Sequence, residues 1–447
     1  MNQYKELKGF KQILFALGHL GPGALAQFLT VWLMLFLTTG DTVIVSATLV
    51  GTGLLISGII DAVADPFIAN WSDNFYNSRF GRRIPFIIGG VLPMVLSFNA
   101  VWYTYYISSN PTIRFIWVLV MLKIFYFTYT IVVNPYFAIM PEIATSKKQR
   151  MFIQSFVALF GILGMGFSMG ASGFLIEAFG FGMASIIMSI FCVAVMIGPL
   201  LTVRINPEAI AGEKSEEKTK TNMFQSVISS LQNKTFRRYI MGFCVFFLGF
   251  QLIQFNLAFL TTVLLELEPG MSSILFISSV VSGVLLIPVF NLILKKMTTI
   301  NALKLAVFSF VVVAILTTFL PMLVGTVGNG AIIGLALMML LGFPYSGLMV
   351  IPNILVSEII DEDIRENGKR REAMFFGVQG LINKFMVAIA GFVVGVVLDL
   401  FGNTVDSPFG VILVAPIAAV IALIGFIIMM RLNIAKGEEN PQIEGTE

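Results

Sequence analysis

The sequence contains 447 residues, of which 57% are hydrophobic and only 12% are charged, and its formal net charge is +3. Soluble domains carry about 25% charged residues, so this composition excludes an ordinary soluble enzyme and indicates an integral membrane protein. The small net charge gives no reason to expect a nucleic-acid partner. Both cysteines, Cys192 and Cys244, lie in apolar runs, and the single histidine is His19. We therefore expect neither a disulfide framework nor a metal site.

Apolar stretches of about 20 residues predict membrane-spanning helices. The sequence has twelve of them, at residues 12–38, 46–72, 84–107, 113–140, 150–178, 183–203, 237–265, 271–294, 301–323, 327–357, 372–399 and 408–431. The predicted fold is an all-α integral membrane protein with twelve transmembrane helices.

The distribution of lysine and arginine between the loops predicts the orientation. If both termini are cytoplasmic, the inner loops contain Arg79, Arg82, Arg83, Lys147, Lys148, Arg150, Lys295, Lys296, Lys304, Arg365, Lys369, Arg370 and Arg371. The outer loops then contain only Arg114, beside several acidic residues. Because cytoplasmic loops carry an excess of positive charge, we expect a multi-pass protein of the cytoplasmic (plasma) membrane with both termini inside.

A polar segment at residues 206–238 separates the sixth and seventh predicted helices. The predicted units are an N-terminal six-helix bundle (1–203), a cytoplasmic linker (204–236), a C-terminal six-helix bundle (237–431) and a disordered cytoplasmic tail (432–447). A weak repeat supports the division, because NPYFAIMPEIATSKKQR at the end of the fourth helix resembles IPNILVSEIIDEDIRENGKRRE six helices later. Two parallel six-helix repeats of this kind bind substrate between the halves, near the middle of the membrane.

Three charged residues lie deep within apolar stretches. Asp61 and Asp65 lie in GIIDAVADPFIANW of the second helix, and Lys384 lies in GVQGLINKFMVAIAGF of the eleventh. A charge at this depth costs about 2.5 kcal/mol or more, and such residues normally face a bundle interior or an aqueous cavity. The four-residue spacing puts both carboxylates on one helix face, which suits a site that takes up and releases a cation. Alternatively, the aspartates pair with Lys384 only to neutralise one another.

Three blocks carry a resemblance to a known family. They are DAVADPFIANWSDNFYNSRFGRRIPFIIGG, PYFAIMPEI and REAMFFGVQGLINKF. Together they resemble the glycoside-pentoside-hexuronide:cation symporters, the branch of the major facilitator superfamily that includes the melibiose carrier, along most of the chain. The resemblance implies a cation site at Asp61 and Asp65, a retained lysine at Lys384 and a retained threonine at Thr130, with Asn134 close to the family's fourth-helix carboxylate position.

Some family positions differ in this chain. Gly23 and Ala158 stand where the resemblance implies the sugar-binding aspartate and arginine, so galactoside specificity does not carry over. Ala64 and Val133 replace two oxygen donors of the implied cation site. Sodium needs several oxygen ligands, whereas a proton needs a single carboxylate, so we favour co-transport of H⁺ over Na⁺ and expect no other cofactor.

Further polar residues are candidates for the site. Lys123, in the fourth helix, is an ion-pair partner for the aspartates, a site for an anionic head group, or a side chain that extends to the interface. Amides that could bind a hydroxylated substrate are Gln251, Gln254, Asn256, Asn353, Gln379 and Asn383. The alternative is that these amides only join helices to one another.

A set of loop charges predicts a cytoplasmic gate. Its members are Asp73, Arg79, Arg82 and Arg83, with Glu142 and Glu358 at the ends of the repeated segments. The arginines alternatively serve only to orient the chain in the membrane.

These features predict a cation-coupled symporter of a small organic solute, a glycoside or other sugar, that works by alternating access. One alternative is a transporter of an amphipathic, lysolipid-like substrate, and a second is a non-transporting sensor with a carrier fold. An enzyme is not expected, because the sequence has no H-E-x-x-H motif and no Gly-rich phosphate loop. The expected partners are a small-molecule substrate and the lipid bilayer, and the expected state is a monomer.

Overall fold

The computed structural model describes residues 6–39, 45–75, 83–144, 146–203, 230–327, 329–367 and 372–430, apart from a few side chains within these ranges. Almost all of these residues are helical. The helices are α1 Phe10–Thr38, α2 Ala47–Asn74, α3 Ile84–Trp102, α4 Pro111–Ile143, α5 and α6 within Lys147–Thr202, α7 Lys234–Leu264, α8 Pro269–Lys296, α9 Thr299–Thr318, α10 Gly330–Asn367, α11 Glu372–Phe401 and α12 Phe409–Met430. The all-helical prediction is confirmed, and the helices follow the predicted order.

Within the described part of the chain, ten helical segments are long and apolar enough to cross a membrane. One of them, Lys147–Thr202, contains two spans, because Gly180 breaks it with a φ of 73°, a conformation that favours glycine. We call the parts α5 (147–179) and α6 (181–202). In α2 the described apolar stretch is the shorter Ala47–Asp61, which ends at the first aspartate of the candidate site.

Three predicted helix ends were wrong, and the first is that of the third helix, which ends at Trp102 and not at residue 107. The ninth helix ends at Thr318 and not at residue 323, and a separate short helix, Leu320–Val327, follows it. Pro321 has no N–H and is tolerated only in the first turn of a helix, so it begins a new helix here. In addition, α10 continues to Asn367, ten residues beyond the predicted end at 357.

The first six helices meet the last six mainly along two pairs, α2 with α11 and α5 with α8, and α1 also contacts α7. Glycines allow the close approach. A Cβ atom at Gly173 of α5 would lie 1.8 Å from the Pro269 carbonyl oxygen of α8, and one at Gly395 of α11 would lie 2.2 Å from the Ala47 carbonyl oxygen of α2. These contacts lie where α5 and α11 end and α8 and α2 begin. We call this end of the bundle the distal end, and the end where α1 begins and α12 ends the proximal end.

Two carboxylates cap helices across the same contacts. Asp399, near the end of α11, accepts hydrogen bonds from the backbone N–H groups of Ala47 and Thr48 at 2.8 Å each. Glu177, near the end of α5, accepts one from Gly270 N–H at 2.8 Å. An anion at a helix N-terminus satisfies free N–H groups and is stabilised by the helix dipole. The same device therefore occurs twice, six helices apart, as a two-repeat fold predicts.

The boundaries of the predicted linker (204–236) and tail (432–447) stay predictions. Residues 204–229 and 431–447 lie outside the described part of the chain. The described part resumes at residue 230, and Asn233 caps the start of α7 through its side-chain oxygen, 2.9 Å from Phe236 N.

Candidate functional site

Asp61 lies at the contact between α2 and α4. Its side chain is 10% exposed, and its Oδ1 is 2.5 Å from the ammonium nitrogen of Lys123. The same ammonium donates a hydrogen bond to the Ser57 carbonyl oxygen, one turn earlier in α2, at 3.1 Å. Of the three roles considered for Lys123, the structure places it as the ion-pair partner of an aspartate.

Asp65 lies one turn further along α2 and joins the two halves. One of its carboxylate oxygens pairs with the Lys384 ammonium of α11. The other, Oδ1, is buried and has no hydrogen-bond partner within the described protein. The side chain of Lys384 is 40% exposed, against 21% for Lys123, so this pair is the more accessible of the two to solvent or substrate.

The two ion pairs form one electrostatic cluster. Asp61 lies within the electrostatic reach of Lys384 and Asp65 as well as of its own partner Lys123. We call these four residues the charge cluster. Its formal charge is zero. A cation-coupling site and a set of charges that only neutralise one another would both have this arrangement, so the geometry is compatible with either interpretation. What the geometry does establish is that one of the two pairs connects the halves.

Thr130 and Asn134 lie further along α4. Thr130 is buried and is seven residues, or about 10 Å along the helix axis, beyond Lys123. Asn134 is half-buried, one turn further. The structure thus brings Asp61, Asp65, Lys123 and Lys384 together and places these two residues toward the proximal end.

A cavity of about 460 Å³ lies between the halves, within the size range of small-molecule sites. Its walls come from α1, α5, α7, α10 and α11. The polar lining residues are Gln27, Thr30, Gln251, Gln254, Tyr345, Asn353, Gln379 and Asn383. No lining side chain in the described part of the chain carries a formal charge. The cavity is not enclosed, and since the distal ends of the helices are in contact, we infer that it opens toward the proximal end.

Amide groups in the cavity wall have unused hydrogen-bonding capacity. Gln27 Nε2, Gln254 Oε1 and Asn383 Oδ1 are buried and lack a hydrogen-bond partner in the described protein. Buried polar atoms are normally paired, so three such atoms around one cavity suit a hydroxylated ligand. Gln379 is different, because its Oε1 accepts a 3.4 Å hydrogen bond from the hydroxyl of Tyr239.

Asn256 does not line the cavity. Its Nδ2 donates a hydrogen bond of 2.9 Å to the Val411 carbonyl oxygen of α12. The alternative interpretation, that an amide joins two helices, is therefore the one that fits Asn256. The cavity wall does include Gln251, Gln254, Asn353, Gln379 and Asn383, as expected for the substrate candidates.

An aromatic wall faces the cavity from α7 and α10. Phe243, Phe247 and Phe250 follow one face of α7, with neighbouring ring centroids 5.8 and 6.4 Å apart. Tyr345 of α10 continues the wall, 5.5 Å from Phe250. The spacing of four and three residues is visible in the sequence, but it is equally typical of a core face. For this reason the sequence did not indicate these residues, nor Gln27 and Thr30 on α1.

The predicted gate residues make equivalent contacts in the two repeats. Arg83, just before α3, pairs with Glu142 of α4 at 2.5 Å and also bonds the Ala138 carbonyl oxygen. Thr299, which begins α9, donates to Glu358 of α10. Each contact joins two helices within one half at the proximal end.

The remaining gate candidates cannot be placed. Arg79 and Arg82 lie outside the described residues, and the side chain of Asp73 is not described. Their role stays a prediction.

Comparisons with known proteins agree with this architecture. The family model described as MFS/sugar transport protein matches residues 14–436. The uncharacterized symporter YnaJ of Bacillus subtilis (strain 168) is 26% identical over 94% of this chain and 90% of its own length. The uncharacterized symporter sll1374 of Synechocystis sp. is 34% identical over 34% of this chain, a match that spans 28% of that relative.

Solved structures show the same fold. A mutant form of the nucleoside transporter NupG has a TM-score of 0.68 at 16% identity, covering 95% of this chain and 100% of the other. A bacterial homologue of the human lysosomal transporter Spinster, in an inward-facing and occupied conformation, has a TM-score of 0.67 at 14% identity, covering 94% and 96%. These similarities confirm the predicted fold of twelve helices in two repeats and the predicted family resemblance. The chain is a multi-pass membrane transporter and not an enzyme, and it belongs to the MFS/sugar transport protein family.

Proposed function

We propose that the protein is a proton-coupled symporter of an uncharged, hydroxylated solute, a glycoside or other sugar, and that it works by alternating access. The observation that carries the proposal is the ion pair between Asp65 and Lys384, which joins the two halves next to the amide-lined cavity. A proton taken up at the charge cluster alters this pair. It therefore alters the strength of the contact between the halves. Because substrate binds between the same halves, binding of the cation changes the affinity for the substrate, and this change is the coupling free energy.

The expected orientation of the chain determines which side of the membrane the cavity opens to. With both termini in the cytoplasm and the protein in the plasma membrane, the proximal end faces the cytoplasm and the distal end faces outward. The helix contacts at Gly173 and Gly395 and the caps at Asp399 and Glu177 then close the outer side. The cavity opens inward, and the bundle works as a monomer.

The lining of the cavity supports an uncharged substrate. Amides on α7, α10 and α11 supply donors and acceptors, and the aromatic wall supplies an apolar surface for one face of a ring. The lining offers no charged partner for a phosphate head group among the described residues. This favours a glycoside over the lysolipid-like alternative, although the aromatic wall alone suits an acyl chain too.

Transport in proteoliposomes tests the proposal. Counterflow of a labelled sugar separates a carrier from a non-transporting sensor, and competition by sugars, nucleosides and lysolipids identifies the solute class. We expect an imposed pH gradient to drive accumulation and a sodium gradient at symmetrical pH to have no effect. Accumulation driven by sodium alone would contradict proton coupling, and the absence of counterflow with every solute would contradict transport.

Two amides on α7 offer a matched test of the cavity. Gln254 lies in the cavity wall, whereas Asn256, two residues later, does not line the cavity and donates a hydrogen bond to α12. We expect Gln254→Ala to raise the KM for the transported solute about tenfold, because a lost hydrogen bond costs about 1 to 1.5 kcal/mol. Asn256→Ala should instead lower the melting temperature and leave KM within about twofold. Equal KM values for both variants would show that the cavity does not bind the solute.

A further inference from the structure

The contacts of Lys123 are those of a cation in a binding site. Its ammonium lies 2.5 Å from Asp61 Oδ1 and 3.1 Å from the Ser57 carbonyl oxygen, and both oxygens belong to neighbouring turns of α2. A carboxylate and a backbone carbonyl are ligands that hard metal cations prefer. The side chains of Asp61 and Lys123 are 10% and 21% exposed, so the position that the ammonium occupies is partly shielded from water.

We propose that Lys123 is a built-in cation that takes the place of a free metal ion at Asp61, and that the proton carried by Lys123 is the coupling ion. The inference rests on the proposed symport, and it names the group that selects H⁺ over Na⁺. In the cycle, the Nζ–H bond breaks and the proton passes to water on the side to which the cavity opens. The neutral amine is protonated again from the other side, and no other bond changes.

The charge balance of the cluster argues against a sodium ion added to the fully protonated state. Two aspartates and two lysines sum to zero when both lysines are protonated. An added sodium ion would give the cluster a net charge of one positive unit inside the bundle, which is costly. Loss of the Lys123 proton gives one negative unit, and its uptake restores neutrality. In a sodium symporter the net charge of the site alternates in the same way, because sodium binds to and leaves carboxylates that have no lysine partner.

Few other ionisable groups compete for this proton. Among the described residues, the groups that interact with Asp61 besides Lys123 are Asp65 from α2, Lys384 from α11 and Tyr126 from α4. Helix α3, which packs on α4, contributes no titratable side chain between Ile84 and Trp102. Tyrosine is neutral near pH 7, so three charges determine the state of Lys123. Lysine suits the role because its ammonium exchanges a proton when buried, whereas arginine keeps its charge.

Sodium binding to the purified protein tests the first part of the proposal without any transport. The melting temperature of the wild type should be the same in sodium and potassium chloride at equal ionic strength. Lys123→Ala opens the site, so its melting temperature should rise with sodium in a saturable way, by several degrees. The rise should vanish in the double variant Lys123→Ala with Asp61→Asn. Lys123→Met removes the same charge with less loss of packing volume and serves if the alanine variant does not fold.

Lys123→Arg separates the charge from the exchangeable proton. It keeps a cation at Asp61, so it should not bind sodium, but it should lose accumulation driven by a pH gradient because arginine does not release its proton. Full pH-driven accumulation by this variant would overturn the proposal. So would a sodium-dependent stabilisation of the wild type that Asp61→Asn removes, or the absence of sodium binding in folded Lys123→Ala and Lys123→Met.

These results are distinguishable from a failure of the proposed function. If counterflow shows no transport but Lys123→Ala gains sodium binding, the site assignment stands and symport fails. If counterflow and pH-driven accumulation are present but Lys123→Arg retains both, symport stands and the assignment of the proton to Lys123 fails.

Discussion

Asp65→Asn should abolish accumulation of the solute and reduce the ratio of internal to external concentration to unity, while the protein is still made and folded. The substitution keeps the shape of the side chain but removes the charge that pairs with Lys384 across the two halves. Without this charge the pair no longer responds to a proton, so substrate movement loses its connection to the gradient. The measurement is uptake into proteoliposomes under an imposed pH gradient, with counterflow recorded in the same preparation.

A double variant separates coupling from mutual neutralisation. If Asp65 and Lys384 only neutralise one another, Asp65→Asn combined with Lys384→Gln restores a neutral interface and should recover uphill transport. If they couple the cation to the substrate, the double variant should remain unable to accumulate the solute. Full accumulation by Asp65→Asn alone would contradict any role of this carboxylate in coupling.

The sequence alone predicts most of the fold because apolar length is a strong signal in membrane proteins. It even separates α5 from α6, which the structure joins in one helical segment broken only at Gly180. The predicted helix ends failed where local chemistry decided them. Pro321 ends the ninth helix early, and the end of α10 is polar, so hydropathy did not indicate it.

The sequence predicts the charged part of the site and misses much of the cavity. Asp61, Asp65 and Lys384 are recognisable because a charge in an apolar stretch is unusual. Gln27 and Phe247 are not, since a single amide or a helical stripe of phenylalanine is common in any membrane helix. The partner of Lys123 required the structure, because which helix faces α4 at that depth depends on tertiary packing.

The capping carboxylates show a similar limit. Glu177 and Asp399 are ordinary acidic residues near helix ends in the sequence, and they gain their role only from the helix that begins beside each. The pairing of α5 with α8 and of α11 with α2 is a property of the repeat. A weak repeat can be read from the sequence, but its contacts cannot.

The contact between Gly173 and Pro269 makes a strong prediction about alternating access. A Cβ atom at Gly173 would lie 1.8 Å from the Pro269 carbonyl oxygen and 2.5 Å from Ser273 Oγ. Since Cβ atoms essentially never approach another heavy atom within 3 Å, Gly173→Ala must force α5 and α8 apart by about 1 Å or more. Overpacking of this kind costs about 1 to 3 kcal/mol. The cost falls only on the conformation in which the distal ends are closed.

We therefore expect Gly173→Ala to shift the population away from the distally closed state by about 5- to 150-fold. Spin labels at Tyr106→Cys and Val405→Cys, exposed positions at the distal end of either half, report the separation in a background without Cys192 and Cys244. The distance between them should increase. The matched control is Gly166→Ala on the same helix, where a Cβ atom would lie 3.4 Å from a Val280 methyl group, an ordinary contact. The control adds the same methyl group to the same helix, so a shift in Gly173→Ala alone would assign the closure to the contact at Gly173. An equal distance distribution in both variants would show that this helix contact does not close the distal end.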